Sequence, residues 1–168
     1  VNEILKCESF RPDMKSETDG STYIMRACQA SEQHQSLAED VVRAILSMKP
    51  KVLDEKDTEN GWTALHYCAA NDSADIAELL LSRNKDFLTR AVDHYGSTAL
   101  HVASERGSYA ICKLLLSGNY YEYTSEPGSE VLPSSEHRNR EYNRAIDLAA
   151  SRDITELFEA HINRSFPV

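Results

Sequence analysis

Between residues 60 and 117 the chain states one pattern twice. Asn60-Gly61-Trp62-Thr63-Ala64-Leu65-His66-Tyr67-Cys68-Ala69 returns as Tyr95-Gly96-Ser97-Thr98-Ala99-Leu100-His101-Val102-Ala103-Ser104. The two threonines stand 35 residues apart (98 minus 63). At the same offset, Asp75-Ile76-Ala77-Glu78-Leu79-Leu80-Leu81 returns as Ala110-Ile111-Cys112-Lys113-Leu114-Leu115-Leu116. A unit this short cannot bury its own apolar face, so a fixed period of this length requires neighbours that bury it for one another. The chain therefore folds as a stack, and every other feature has to be fitted to that.

Each unit reads as a turn, a short helix, a tight connection and a second helix. Gly61 and Gly96 head the blocks, where a turn asks for dihedrals that a Cβ penalises. Thr63 and Thr98 stand just before the apolar run, in the capping position of the first helix. Ile76, Leu79 and Leu80 fall at i, i+3 and i+4 and give the second helix one apolar stripe. Asn84 and Asn119 follow the leucine triplets, where a left-handed C-terminal cap is expected.

Two further units flank this pair. Asp19-Gly20-Ser21-Thr22-Tyr23-Ile24-Met25-Arg26-Ala27-Cys28 matches the opening block, with Met25 in the histidine slot. Its second helix, Val41 to Ser47, begins 19 residues after Thr22 (41 minus 22). The extra residues are read as a longer connection within 30–39. At the other end, Arg144-Ala145-Ile146-Asp147-Leu148-Ala149 and Asp153-Ile154-Thr155-Glu156-Leu157-Phe158 form a last unit. It follows an insertion near 120–141, where Pro127, Gly128, Pro133 and paired serines spell a loop. The expectation is one domain over 1–168, with repeats near 19–53, 60–88, 95–119 and 142–162. Helix pairs are predicted at 22–48, 63–83, 98–118 and 145–162. Val1 to Cys7, apolar at i, i+3 and i+4, suits either a capping helix or the remnant of another repeat.

Composition narrows the function. The chain carries a formal net charge of −9, with 41% hydrophobic and 27% charged residues. Such a field repels phosphate backbones and anionic lipid and draws basic partners. Neither direct nucleic-acid binding nor membrane association is expected. Cys7, Cys28, Cys68 and Cys112 form no C-x-x-C pair, which points to reduced thiols in the cytoplasm or nucleus. No phosphate loop, nucleophile elbow or metal-spaced histidine pair is visible, so neither a cofactor nor catalysis is expected.

The T-A-L-H and D-I-A-E-L-L-L runs, with their period near 35, resemble the ankyrin-repeat family, whose period is about 33. The resemblance implies an all-α solenoid of about four repeats, built of helix-turn-helix units with β-turn fingers. It also implies that His66 and His101 bond turn backbone and tie adjacent repeats together, rather than catalyse. An extended first repeat, two tight ones and an insertion after the third are similar to the layout of inhibitor-of-NF-κB proteins, including short viral ankyrin mimics. That layout implies a regulator that sequesters a transcription factor. Its partner would be a protein with a basic segment, a Rel-homology factor being favoured, and the free chain would be a monomer. The D-S-G-x-x-S phosphodegron of cytosolic members is missing, and fewer repeats are recognisable than their usual six or seven. The alternatives are a Notch-like scaffold of a transcription complex, or an adaptor that recruits a substrate.

In such a stack the turn tips and the outward side of the first helix carry no packing duty and are free for a partner. In the second unit they hold Thr58, Glu59, Asn60, Trp62, Ala70 and Asn71, and in the third Asp93, His94, Tyr95, Ser97, Glu105 and Arg106. Trp62, the only tryptophan, is read either as a hot-spot anchor or as a side chain packed on its neighbouring turn. The tyrosines and Pro-Glu-Ser stretches of the later insertion suit a solvated, phosphorylatable loop.

Overall fold

The short apolar runs after Thr22, Thr63 and Thr98 become the inner helices of a stack, and the leucine-rich runs become its outer helices. The computed structural model describes residues 11–30, 34–48, 50–117 and 137–165. Inner helices are α1 (Tyr23–Ala27), α3 (Ala64–Asn71) and α5 (Ala99–Arg106). The outer ones are α2 (Gln35–Met48), α4 (Ala74–Arg90), α6 (Tyr109–Ser117) and α7 (Arg152–Ser165). Single 3-10 turns at Pro50–Asp54 and Ala145–Leu148 complete the set, the latter standing as the inner helix of the last unit. Among the described residues the only strand-like pairings are isolated bridges, Lys15 with Thr22, Val92 with Thr98 and Arg138 with Arg144. The fold is the expected all-helical solenoid.

Inner helices stack closely because their facing residues are small: Ala64, Ala69, Ala99 and Ala103 are buried beside Leu65 and Leu100. The outer stripe is equally dry, with Ile76, Leu80, Ile111 and Leu115 at 0–1% exposure. Each such side chain contributes roughly 2 kcal/mol of apolar burial. Phe158 and Ile154 of α7 are fully buried and close the core at the last unit. Cys28, Cys68 and Cys112 are free and buried in the core. Burial pushes the Cys112 thiol up to about 12, and Cys68 rises for the same reason, reinforced by the neighbouring Cys28 thiol. The Cys68 and Cys112 thiols stay protonated, hence inert.

Two local features depart from the predicted pattern. The extra residues of the first unit do not all form a connection: α2 already begins at Gln35, so part of the insertion near 30–39 lengthens that helix. Asn84 is not a left-handed cap. It lies at φ −151, ψ 64, a break inside α4, and the chain turns helical again as far as Arg90. The break is held from outside, since Asn84 Nδ2 donates to Asp54 Oδ1 at 2.6 Å. In the last unit the turn pairs Arg138 with Arg144, as Val92 pairs with Thr98 in the third. Asn119, Val1 to Cys7 and most of the insertion near 120–141 lie outside the described residues.

Asp72 supplies an unforeseen lock between units. It ends α3 in the left-handed region (φ 51), where the next unit uses Gly107 (φ 78). Its Oδ1 accepts the backbone N–H of Ile111 at 3.0 Å, in the first turn of α6, so one unit caps a helix of the next. Asp72→Ala removes that cap and places a Cβ-bearing residue without a polar side chain at positive φ. We expect a loss of about 2 kcal/mol in chemical denaturation. Asp72→Gly, which suits the dihedral but cannot cap, should lose clearly less.

Candidate functional site

The groove is built from its fingers inward. Each finger is a tight turn closed by backbone pairing, Asp57 N–H to the Trp62 carbonyl, Asp93 N–H to Ser97 and Asn139 N–H to Asn143, at 2.9–3.0 Å. The leading side chain then pins the turn. Asp57 Oδ1 accepts from Asn60 N and Gly61 N, while Asp57 Oδ2 accepts from Trp62 N and the Tyr67 hydroxyl. Asp93 Oδ1 accepts from Tyr95 N and Ser97 N at 2.8 Å each, and Asn139 Oδ1 does the same for Glu141 N and Asn143 N. Neighbouring fingers are laced by single bonds: Thr58 N–H to the Asp19 carbonyl, His94 N–H to Asn60, Arg140 N–H to Tyr95.

Gly61 shows why the turns need glycine. It sits at φ +74, and a Cβ there would come within 2.6 Å of the His94 ring and 3.2 Å of the His94 backbone nitrogen. The last finger breaks this rule, for Tyr142 occupies the equivalent position at φ 64 and is 79% exposed. Such dihedrals are costly for a bulky residue. The Arg138 guanidinium donating to the Tyr142 carbonyl at 2.7 Å helps hold the turn.

The two histidines join fingers to helices. At His66, Nδ1 receives the Thr63 N–H at 3.2 Å, and an N–H can only donate. The ring proton therefore sits on Nε2, which donates to the Ser97 carbonyl of the next finger at 3.1 Å. His101 repeats the arrangement with Thr98 N–H on Nδ1 and with the His137 and Asn143 carbonyls, at 3.1 and 3.2 Å, on Nε2. Burial lowers the His66 pKa to about 4, and it lowers that of His101 as well. Both imidazoles are neutral and fully engaged in holding fingers to helices.

Asn60, Trp62, Asp93, Tyr95, Ser97, Glu105 and Arg106 all line one groove of about 280 Å³, together with Val102, Asn139, Glu141 and Leu148. Glu59, His94 and Asn71 lie outside that lining but are exposed. Not all of the expected residues are free of structural duty. Asp93 and Ser97 are buried, at 8% and 9% exposure, because one carboxylate oxygen of Asp93 closes its own turn. Trp62 is half-buried: its Nε1 donates to Asp93 Oδ2 at 3.3 Å and its ring meets Tyr67 edge-on at 5.2 Å. It is thus a fixed wall of the groove, not a loose anchor. Sequence reasoning missed Glu141 and Asn139, because an insertion of unknown length hid where the last finger begins. It also missed Asp57, although its spacing ahead of Gly61 nearly repeats that of Asp93 ahead of Gly96. Among the described residues no three His, Cys, Asp or Glu side chains are grouped to hold a metal ion, and no helix is long and apolar enough to cross a membrane.

Comparison with known proteins agrees with this geometry. The family model for ankyrin repeats (three copies) matches residues 1–91 and 25–126. Among solved structures, the ankyrin repeat domain of Bcl-3, described as a unique member of the IkappaB protein family, superposes with a TM-score of 0.67 at 20% identity. That alignment covers 91% of this chain but 57% of the Bcl-3 chain. The crystal structure of the yeast ribosomal protein Rps3 in complex with its chaperone Yar1 contains a chain matched with a TM-score of 0.61 at 26% identity, covering 87% of this chain and 91% of that one. Fingers pinned by Asx turns, threonine–histidine caps and paired helices at a period near 35 are thus joined by a family match over residues 1–126, and the chain belongs to the ankyrin-repeat family.

Proposed function

We propose that this ankyrin-repeat protein-binding module is an inhibitor-of-NF-κB-like regulator, which holds a Rel-homology transcription factor by a basic segment and so keeps it from acting in the nucleus. The observation that carries the reading is the acidic groove between fingers and inner helices. Asp93, Glu105 and Glu141 line it against Arg106 alone, within a chain of net charge −9. Such a surface steers a cationic partner and sets its association rate. The extended first unit and the late insertion support the Rel assignment, and the likeness to the Bcl-3 domain, at 20% identity, supports the fold on which it rests. A second reading, a chaperone for a basic client, is supported by the match to the Rps3–Yar1 structure over 91% of the matched chain.

Surface plasmon resonance against a Rel-homology dimer and, separately, a basic ribosomal protein tests both. Glu105→Lys with Glu141→Lys is the variant of choice, since both residues are exposed. Asp93→Lys would instead dismantle a turn. We expect saturable binding to the Rel dimer, with association slowed about tenfold by the double reversal and a flatter salt dependence. Binding to the ribosomal protein alone would transfer the conclusion to the second reading. Kinetics untouched by the reversal would place the interface elsewhere.

A further inference from the structure

Within the groove, we infer that the space bordered by the second, third and last fingers seats one arginine side chain of the partner, in preference to a lysine. This rests on the reading of the groove as the protein-binding face and adds the residue it selects. At about 280 Å³ the space has room for a single long side chain. Two aromatic rings line it, Trp62 and Tyr95. Trp62 is held by its bond to Asp93 and by Tyr67, so little side-chain freedom remains to be lost on binding.

The carboxylates divide by availability. Asp93 is occupied by the Tyr95 and Ser97 N–H groups and by Trp62 Nε1. Glu105 is exposed and has no hydrogen bond or ion pair among the described residues, while Glu141 gives one oxygen to Asn143 Nδ2 at 3.3 Å. Two acids are thus able to receive donors, beside aromatic faces. A guanidinium uses both features at once, stacking its plane on a ring and forking its N–H groups to carboxylates; an ammonium is a compact, strongly hydrated charge that gains less from either. Arg106 lines the same space and opposes an incoming cation, so its removal should strengthen binding.

Trp62 is the chain's only tryptophan, and its emission therefore reports on the groove directly. The probes are acetyl-Gly-Arg-Gly-amide and its lysine counterpart, titrated at matched ionic strength. A saturable change with the arginine peptide is expected, with the lysine peptide at least about threefold weaker. Glu105→Gln should weaken the arginine peptide about fivefold, and Arg106→Gln should strengthen it about twofold. Both residues are exposed, and unchanged circular dichroism will show that the variants fold. Equal affinity for the two peptides, indifference to Glu105→Gln, or no saturable change at all would each overturn the arginine seat. If that happens while the double charge reversal still slows the macromolecular partner, the groove is right and its selectivity wrong. Should both fail, the groove itself is not the interface.

Discussion

His66→Ala is expected to destabilise the fold by about 3 kcal/mol, measured by urea denaturation, without changing the helical content of the remaining folded protein. The imidazole is fully buried and spans two units. Removing it strands the Thr63 N–H on one side and the Ser97 carbonyl on the other, and leaves a void between them. The first unit provides the control. There Met25 stands in the same slot, and its Sδ accepts the Thr22 N–H at 3.3 Å, but a thioether has no proton to pass to a neighbouring finger. His66→Met should therefore keep the cap and lose only the bridge, at about half the cost of the alanine variant. A loss below about 1 kcal/mol for His66→Ala would mean that the stack does not depend on the bridge.

The second large effect is a loss of stability on mild acidification. His66 has a pKa of about 4 in the folded protein, against 6.5 for an ordinary histidine. Below pH 6.5 the unfolded chain takes up a proton at this position and the folded chain does not, so stability falls as pH drops. The loss is complete near pH 4, where the folded protein begins to protonate as well. Across that window His66 alone accounts for about 3 kcal/mol, and His101, lowered in the same direction, adds to it. Carboxylates act lower: Asp19, held at about 2 chiefly by the backbone N–H of Ser21, favours the folded state above pH 4 and releases that contribution between 4 and 2. The measurement is the urea midpoint from pH 7.5 to pH 4 for the parent and for His66→Met. The parent should decline steeply and the variant less so. Parallel curves would show that His66 is not the titrating group.

These two results bear on function through rigidity. Ser97, whose carbonyl receives the His66 proton, closes the turn that Asp93 pins, and Asp93 in turn holds the Trp62 indole. The wall of the groove is thus fixed by the bonds that hold the units together. On the proposed reading a partner would meet a surface already ordered, which spares the entropy of arranging it on binding.

The periodicity by itself determines the architecture. A fixed offset of 35 between Thr63 and Thr98, carried through the leucine runs, forces like helices to stack on like, because each has one apolar stripe and only a neighbour of the same shape can cover it. The same periodicity marked most of the groove, since residues without packing duty recur at fixed places in each unit. What it could not decide depends on contacts between distant residues. Asp93 and Glu59 look alike as acidic finger residues, yet one carboxylate folds back on its own turn and the other is exposed. Asp72 caps a helix 39 residues away, Asn84 breaks α4 by reaching Asp54, and Glu141 joins the groove only because the last finger is laced to Tyr95. Local sequence encodes which residues seek a partner. Only the packed stack determines which partner comes within 3 Å, because that distance is set by how one unit sits on the next.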